Sequence, residues 1–265
     1  MYFNPIAKAL TANHLKNIHL IATDMDGTLT QQGKITSTVC QALETLAQAG
    51  ISVLIITGRS AGWVDAVKSY LPVTGAIAEN GGLFYSNHRE DLEILTPIPD
   101  LKLHRQQLRE TFQFLKSKFP QIQETVDNRF RITDFTFSVK GLKSLELQEL
   151  AHLCQEKGWG FTHSTVHCHI KLLEQDKASS LIQVLKEHFP QFTREQIITV
   201  GDSPNDESLF DASKFSLSVG VANILHYTEN LNHKPAYITT FAEAEGFCQL
   251  AELVIKSNVE LIIES

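Results

Sequence analysis

The chain has 265 residues, of which 43% are hydrophobic and 20% charged, with a formal charge of −7. That length is enough for one large domain or two smaller ones around a buried core. The acidic balance argues against a nucleic-acid surface, yet it leaves room for an anionic substrate wherever a local cation reverses the field.

Taken in order, Ile18 to Ala22 is apolar at nearly every position, as in a strand buried on both faces of a parallel sheet. It halts at Asp24 and Asp26, with Gly27 and Thr28 directly after. Thr36 to Ala49 carries Val39, Leu43 and Leu46 at helical spacing and stops at Gly50. Ile51 to Ile56 reads as a second buried strand that ends at Thr57-Gly58-Arg59-Ser60. A helix at Ala61 to Tyr70 and a strand at Ala76 to Ala78 follow, the latter ending at Glu79-Asn80-Gly81-Gly82. This alternation predicts parallel βαβ units whose loops gather at one edge of a sheet.

The character changes beyond Leu83. A hairpin is expected from Leu83 to Tyr85 and Leu92 to Leu95, bridged by Ser86-Asn87, before the break at Pro97 and Pro99. Leu101 to Phe119 is a helix candidate, Phe130 to Val139 a half-exposed strand with a slip at Asp134, Ser144 to Glu156 a helix, and Gly160 to Ile170 one strand. Buried-strand patterning then resumes. Asp176 is placed to cap a helix from Lys177 to Phe189. A strand at Ile197 to Val200 stops at Gly201-Asp202-Ser203-Pro204-Asn205-Asp206. A helix at Glu207 to Ala212, strands at Phe215 to Val219 and Ala236 to Ile238, and a helix at Phe241 to Ser257 complete the pattern. The expected fold class is therefore α/β. It is a Rossmann-like, doubly wound parallel sheet core formed by 1–97 plus 172–265, with an inserted α+β cap at 98–171.

Cys40, Cys154, Cys168 and Cys248 are widely spaced with no C-x-x-C pair, so a reducing cytoplasm is the default compartment. Met1 to Leu15, carrying Pro5, Asn13 and His14, does not read as a signal peptide. No apolar stretch approaches the length of a membrane span. No nucleic-acid or membrane partner is expected, and oligomeric state is open.

The chemistry lies in the loops. Asp24 and Asp26, two apart on a continuing strand, share a face and repel unless a cation lies between them or one holds a proton. Asp202 and Asp206 add carboxylates, and several carboxylates with a backbone oxygen suit Mg²⁺. Thr57 and Gly58 offer a hydroxyl and an N–H where a helix begins, a seat for phosphate. Lys177, in the first turn of its helix, adds a cation. Together they describe a site for a phosphoryl group beside an acidic nucleophile.

These residues, in this order, resemble the haloacid dehalogenase (HAD) superfamily of phosphohydrolases from about Ile18 to Leu253. Asp24 to Thr28 is similar to its first motif, Thr57-Gly58 to its second, Lys177 to its third and Gly201 to Asp206 to its fourth. The insert between the second and third motifs implies a C2B cap and the Cof-like, type IIB subfamily. Within that subfamily the Glu79-Asn80-Gly81 and Gly201 to Asp206 segments look most like the mannosyl-3-phosphoglycerate and sucrose-phosphate phosphatase branch. The resemblance implies a Mg²⁺-dependent phosphatase of a small phosphorylated metabolite, a sugar phosphate, working through an aspartyl-phosphate. It makes Asp24 the nucleophile and Asp26 the general acid and base. It also implies that Asp24, the backbone oxygen of Asp26, Asp202 and, through water, Asp206 hold the metal, and that Asn205 places the phosphoryl group. Arg59 and Asn80 join Thr57, Gly58 and Asn205 as phosphate or substrate candidates.

Rival readings stay open at several positions. Lys171 competes with Lys177 for the cationic role. His163, Thr165, His167 and His169 would share one face of a single cap strand, giving either substrate contacts, a solvated face or a zinc site; one strand spreads them too far to close on one ion. Asp134 carries the same ambiguity, Asn223 is either a site residue or a turn asparagine, and Trp63 and Trp159 pack. The same site would serve a phosphohexomutase, which transfers the phosphoryl group to a second hydroxyl, or a non-catalytic phospholigand sensor.

Overall fold

The computed structural model describes residues 3–87, 92–164, 166–229 and 231–264, with side chains to 258. In chain order its strands are β1 (Asn4–Pro5), β2 (Leu20–Thr23), β3 (Ser52–Ile56), β4 (Gly75–Ala78), β5 (Leu83–Ser86), β6 (Leu92–Ile94), β7 (Phe135–Ser138), β8 (Gly160–His163), β9 (His167–Lys171), β10 (Ile197–Gly201), β11 (Ser218–Gly220) and β12 (Tyr237–Ile238). The helices are α1 (Ile6–Thr11), α2 (Ser37–Gln48), α3 (Ala61–Tyr70), α4 (Leu101–Lys118), α5 (Ser144–Glu156), α6 (Lys177–His188) and α7 (Glu243–Glu264).

Nine strands form one sheet in the order β1-β12-β11-β10-β2-β3-β4-β5-β6. It is parallel from β1 to β4, and β5 and β6 extend it as antiparallel strands. The pleat sends alternate residues to opposite faces. Ile21, Val53, Ile55, Ile198 and Val200 pack on the side of α2 and α7, where Val39, Leu43 and Phe247 meet them. Leu20, Ala22, Leu54, Ile56 and Ile197 pack on the side of α6, against Leu181 and Val184. Burial on both faces is why these strands are apolar throughout. The chain runs outward from β2 to β4 and later returns to the other side of β2 through β10. The switch point of the winding thus falls between β10 and β2, where open α/β sheets place their ligands.

The segment between β6 and α6 builds a second, antiparallel sheet in the order β7-β9-β8. Phe135, Phe137, Cys168 and Ile170 on one face pack against Leu108, Phe112 and Leu115 of α4 and Leu150 and Cys154 of α5. This is the strand-and-helix cap of the α/β core.

The structure corrects several boundaries. The expected strand from Gly160 to Ile170 is a hairpin, β8 and β9, so the histidines do not share a face. His163 pairs with Cys168 and points to the helix-packed side, whereas His167 and His169 point the other way. Thr165 lies outside the described residues. The expected strand from Phe130 begins only at Phe135, because Val126–Phe130 coils into a 3₁₀ turn that sends Asn128 inward to hydrogen-bond Thr136. Pro204–Phe210 is a 3₁₀ segment in place of a helix at Glu207 to Ala212, and β11 is shorter than expected. The strand β1, helix α1 and a 3₁₀ turn at Ala222–Tyr227 were not expected. Among the described residues no helix is long and apolar enough to cross a membrane.

Candidate active site

Adjacent parallel strands β10, β2, β3 and β4 deliver four loops side by side at their C-terminal ends. The loop after β2 holds Asp24, whose N–H donates to the Val200 carbonyl at 2.9 Å and whose side chain is buried. The chain then turns tightly, with the Met25 carbonyl accepting from Leu29 at 2.8 Å. Gly27 takes φ +85°, and a Cβ there would stand 2.5 Å from Asp202 Oδ2, so both conformation and space require glycine. Asp202, at the end of β10, is held by the Thr28 hydroxyl at 3.0 Å and the Asn223 amide at 3.0 Å. Asn223 also donates to the Gly27 carbonyl, which makes it a site-supporting residue and not a simple turn asparagine.

Asp206 folds back so that Oδ2 accepts from the N–H groups of Asp202 (2.9 Å) and Ser203 (3.1 Å). Its other oxygen faces Lys177, whose position at the first turn of α6 is fixed by Asp176 capping the Ala178 and Ser179 N–H groups. Lys177 Nζ donates to Asp24 at 2.5 Å and to Asp206 at 2.6 Å. The rival Lys171 donates instead to the Gln175 carbonyl. One oxygen each of Asp24, Asp202 and Asp206 lie within 4.8 Å of one another, all buried.

One ammonium cannot balance three buried carboxylates. Lys177 stays protonated, because Asp206 and Asp24 outweigh the burial that would strip its proton. Burial pushes the Asp24 carboxyl up to about 7 against the pull of Lys177, and burial with the charges of Asp24 and Asp206 pushes Asp202 well above its ordinary value. A hard divalent cation among these oxygens fits the donor set and removes the excess negative charge.

Asp26 faces elsewhere. Both of its oxygens accept from Arg59, from Nε and Nη2 at 2.6 Å each, and the guanidinium stacks 4.9 Å from the Trp63 ring centroid. Trp63 therefore supports the site and does more than pack. Thr57 is buried, and its hydroxyl accepts from the Arg59 N–H. A Cβ at Gly58 would lie 3.1 Å from Asn80 Nδ2 and 3.1 Å from His169 Cε1, so this glycine keeps the seat open between core and cap. Asn80 accepts from Asn205 at 3.0 Å, while its own buried Nδ2 has no partner among the described residues. Such an orphaned donor marks a place for an acceptor.

The cap closes over these groups. The Glu79 carboxylate accepts from the N–H groups of Ala61 (3.0 Å), Ile132 (3.0 Å) and Thr133 (2.6 Å), joining core to cap. Arg131 pairs with Asp134 and Asp127, each at 2.8 Å, and reaches across to the Gly58 carbonyl at 3.0 Å. Ser164, Val166, His167 and His169 roof a cavity of about 20 Å³ above Asp24, room for a single water. Glu79 entered the sequence reading only within the Glu79-Asn80-Gly81 segment, its clamping role hidden because its cap partners are distant along the chain, and Arg131 did not stand out although Asp127 and Asp134 lie close to it in sequence. The one available signal was a charged residue beside an apolar run.

A family model of haloacid dehalogenase-like hydrolases matches residues 21–105 and 84–249, most of the chain. A phosphoglycolate phosphatase of Methanothrix thermoacetophila is 27% identical over 239 residues, covering 89% of this chain and 96% of its own. Two solved structures share the fold. The C-terminal domain of trehalose-6-phosphate phosphatase from C. albicans has a TM-score of 0.70 at 14% identity, covering 96% of this chain and 98% of its own. A HAD subclass IIB sugar phosphatase has a TM-score of 0.65 at 14% identity, covering 88% and 98%. This chain belongs to the haloacid dehalogenase-like hydrolases.

Proposed function

We propose that the protein is a Mg²⁺-dependent phosphomonoesterase acting on a small phosphorylated metabolite, with Asp24 as nucleophile. The observation that carries this reading is the trio Asp24, Asp202 and Asp206 gathered around Lys177 at the switch point of the sheet. Asp24, Asp202 and Asp206 would hold the metal, which supplies positive charge that lets a carboxylate approach a phosphoryl dianion. Without such charge, two unit charges about 4 Å apart repel by roughly 4 kcal/mol at an effective dielectric near 20. Lys177, the Thr57 hydroxyl, the Gly58 N–H, Asn80 Nδ2 and Asn205 surround the phosphoryl oxygens.

Asp24 Oδ attacks phosphorus and the ester oxygen departs with a proton from Asp26, leaving an aspartyl-phosphate. Water then attacks that phosphorus, Asp26 takes its proton, and phosphate leaves with Asp24 regenerated. In the structure both Asp26 oxygens are held by Arg59; an arriving dianion draws the guanidinium to itself, and Asp26, freed, takes up from solvent the proton that it then gives to the ester oxygen and recovers from the attacking water. Because the closed cavity holds only a water, the cap must swing away to admit substrate.

The relative named for phosphoglycolate and the fold neighbours named for trehalose 6-phosphate and sugar phosphates support a small phosphomonoester as substrate, a sugar phosphate among them. The test is phosphate release from p-nitrophenyl phosphate and a panel of phosphorylated metabolites, with Mg²⁺ and with chelator. Mg²⁺-dependent release supports the reading; a fully folded protein that releases none from any ester defeats it.

A further inference from the structure

The cap sheet carries one polar row on the face away from its helices. Thr136, His169 and Thr162 stand opposite one another across β7, β9 and β8, with Phe135, Ile170 and Phe161 forming the next row on the other, helix-packed face. His169 lines the cavity above Asp24 together with Gly58 and Arg59.

The orientation of His169 is set from behind. Its Nδ1 lies 2.7 Å from Asp134 Oδ2, and Asp134 is clasped by Arg131 Nη1 at 2.8 and 3.0 Å. Arg131 and His169 outweigh the burial of Asp134 and hold its carboxyl at about 2, so it is ionised and accepts only. Nδ1 must therefore carry the hydrogen. Burial outweighs the pull of Asp134 and keeps the imidazole itself neutral, below its ordinary value. The remaining nitrogen, Nε2, is then a hydrogen-bond acceptor. It adjoins Cε1, the ring atom that stands over Gly58.

The charges around this acceptor are already matched. Arg59 is held by Asp26, and Arg131 by Asp134 and Asp127. The neighbouring His167 is also neutral, lowered to about 4 by burial and by the positive charges around it. A carboxylate brought here would meet a lone pair with Asp134 behind it, while Arg59, the cation lining the cavity, is engaged by Asp26 or by the phosphoryl group itself. A hydroxyl would find its acceptor. Asn205 lines both this cavity and an adjoining groove of about 330 Å³ bounded by Thr162, Lys171, Asn80 and Lys177, large enough for a polyol body.

We propose that the Asp134–His169 pair reads the leaving group, with His169 Nε2 accepting a hydroxyl of a polyol or sugar phosphate and rejecting a carboxylate at that place. Asp134 acts as a positioning residue and Arg131 fixes Asp134. The inference rests on the phosphomonoesterase reading, and the test separates the two.

The experiment compares kcat/KM for two esters matched in length, 2-hydroxyethyl phosphate and 2-phosphoglycolate, with glycerol 1-phosphate added and p-nitrophenyl phosphate as a leaving group without a hydroxyl. The wild-type protein should prefer the hydroxylated esters about tenfold or more, since loss of a hydrogen-bond partner in a buried site costs on that order. His169→Ala should erase the preference, lowering kcat/KM for the hydroxylated esters more than for p-nitrophenyl phosphate, and His169→Gln, whose amide oxygen reaches toward the same place, should restore part of it. Asp134→Asn should raise KM for the hydroxylated esters more than it lowers kcat. Wild-type protein that hydrolyses p-nitrophenyl phosphate but favours phosphoglycolate, or does not discriminate, overturns the assignment without any variant and leaves the phosphatase reading standing. Failure to hydrolyse every ester defeats both.

Discussion

Lys177 Nζ bridges Asp24 and Asp206 at 2.5 and 2.6 Å, entirely out of contact with solvent, and Asp202 stands beside them with no cation paired to it among the described residues. Excess buried negative charge should make the protein respond to metal and to pH together. The folded state holds a proton on Asp24 up to about 7, whereas the unfolded chain releases it near the ordinary value of 3.8. In the absence of metal, this group therefore removes stability as pH rises between those two values. Mg²⁺ bound there would take the place of the proton, so its stabilising effect should grow with pH. Thermal melting should show a Mg²⁺-induced rise of about 5 °C near pH 8 and a much smaller one near pH 5. A larger rise at the acid end contradicts the arrangement.

Lys177→Met keeps length and bulk but removes the charge. Activity should fall on the order of 10²–10³-fold, the loss typical of one preorganised donor at a reacting centre. Removing one partner of a buried ion pair costs about 3–5 kcal/mol. That loss should shrink as the pH is lowered through about 7, because Asp24 then takes up its proton. Urea unfolding at two pH values checks this. A loss that is independent of pH would mean Lys177 serves packing alone.

Asn223 touches none of the reacting atoms in the proposed mechanism, yet it fixes Asp202 Oδ2 and the Gly27 carbonyl. Groups that orient a metal ligand typically account for about 10–100-fold in affinity. Asn223→Ala should therefore weaken Mg²⁺ binding by about that factor, measured by calorimetry or by the Mg²⁺ dependence of turnover, while activity at saturating Mg²⁺ largely recovers. Unchanged Mg²⁺ dependence would remove Asn223 from the site.

The cap latch should open in acid. Burial alone would raise the Asp134 carboxyl, but Arg131 and His169 hold it down at about 2, below its ordinary 3.8. It therefore contributes stability above the ordinary value, on the order of 2 kcal/mol, which is lost as pH falls from about 4 to 2. The stability gap between wild type and Asp134→Asn, read by denaturant unfolding, should be wide near neutrality and narrow across that window. A gap of constant width would show that Asp134 acts through shape.

The core and its loops were legible because each depends on local signals. Ile51 to Ile56 and Ile197 to Val200 announce two-sided burial, and each ends abruptly in the polar loop that enters the site. Asp24, Thr57, Lys177, Asp202 and Asp206 followed from that. The cap was less legible. Gly160 to Ile170 has no glycine, proline or asparagine near Ser164 to mark the reversal, and the slip of apolar phase from Phe161 to Val166, Cys168 and Ile170 was its one signal, so two strands read as one and His163 was assigned to the wrong face. The partnership of Arg59 with Asp26 lies within the core, the chain from Arg131 through Asp134 to His169 within the cap, and the Glu79 clamp between the two; each brings together segments that are apart in sequence and meet only in the folded protein. Residue types suggested polarity at these positions; only packing determines which polar groups face one another.

The central claim is that Asp24 accepts the phosphoryl group. Turnover quenched in acid during steady state, followed by peptide mass analysis, addresses it directly. The expected result is one phosphoryl group on the peptide containing Asp24, absent without Mg²⁺ and absent in Asp24→Asn, which should also release no phosphate. Phosphate release that persists in Asp24→Asn, or a phosphoryl group trapped on another residue, would contradict the account.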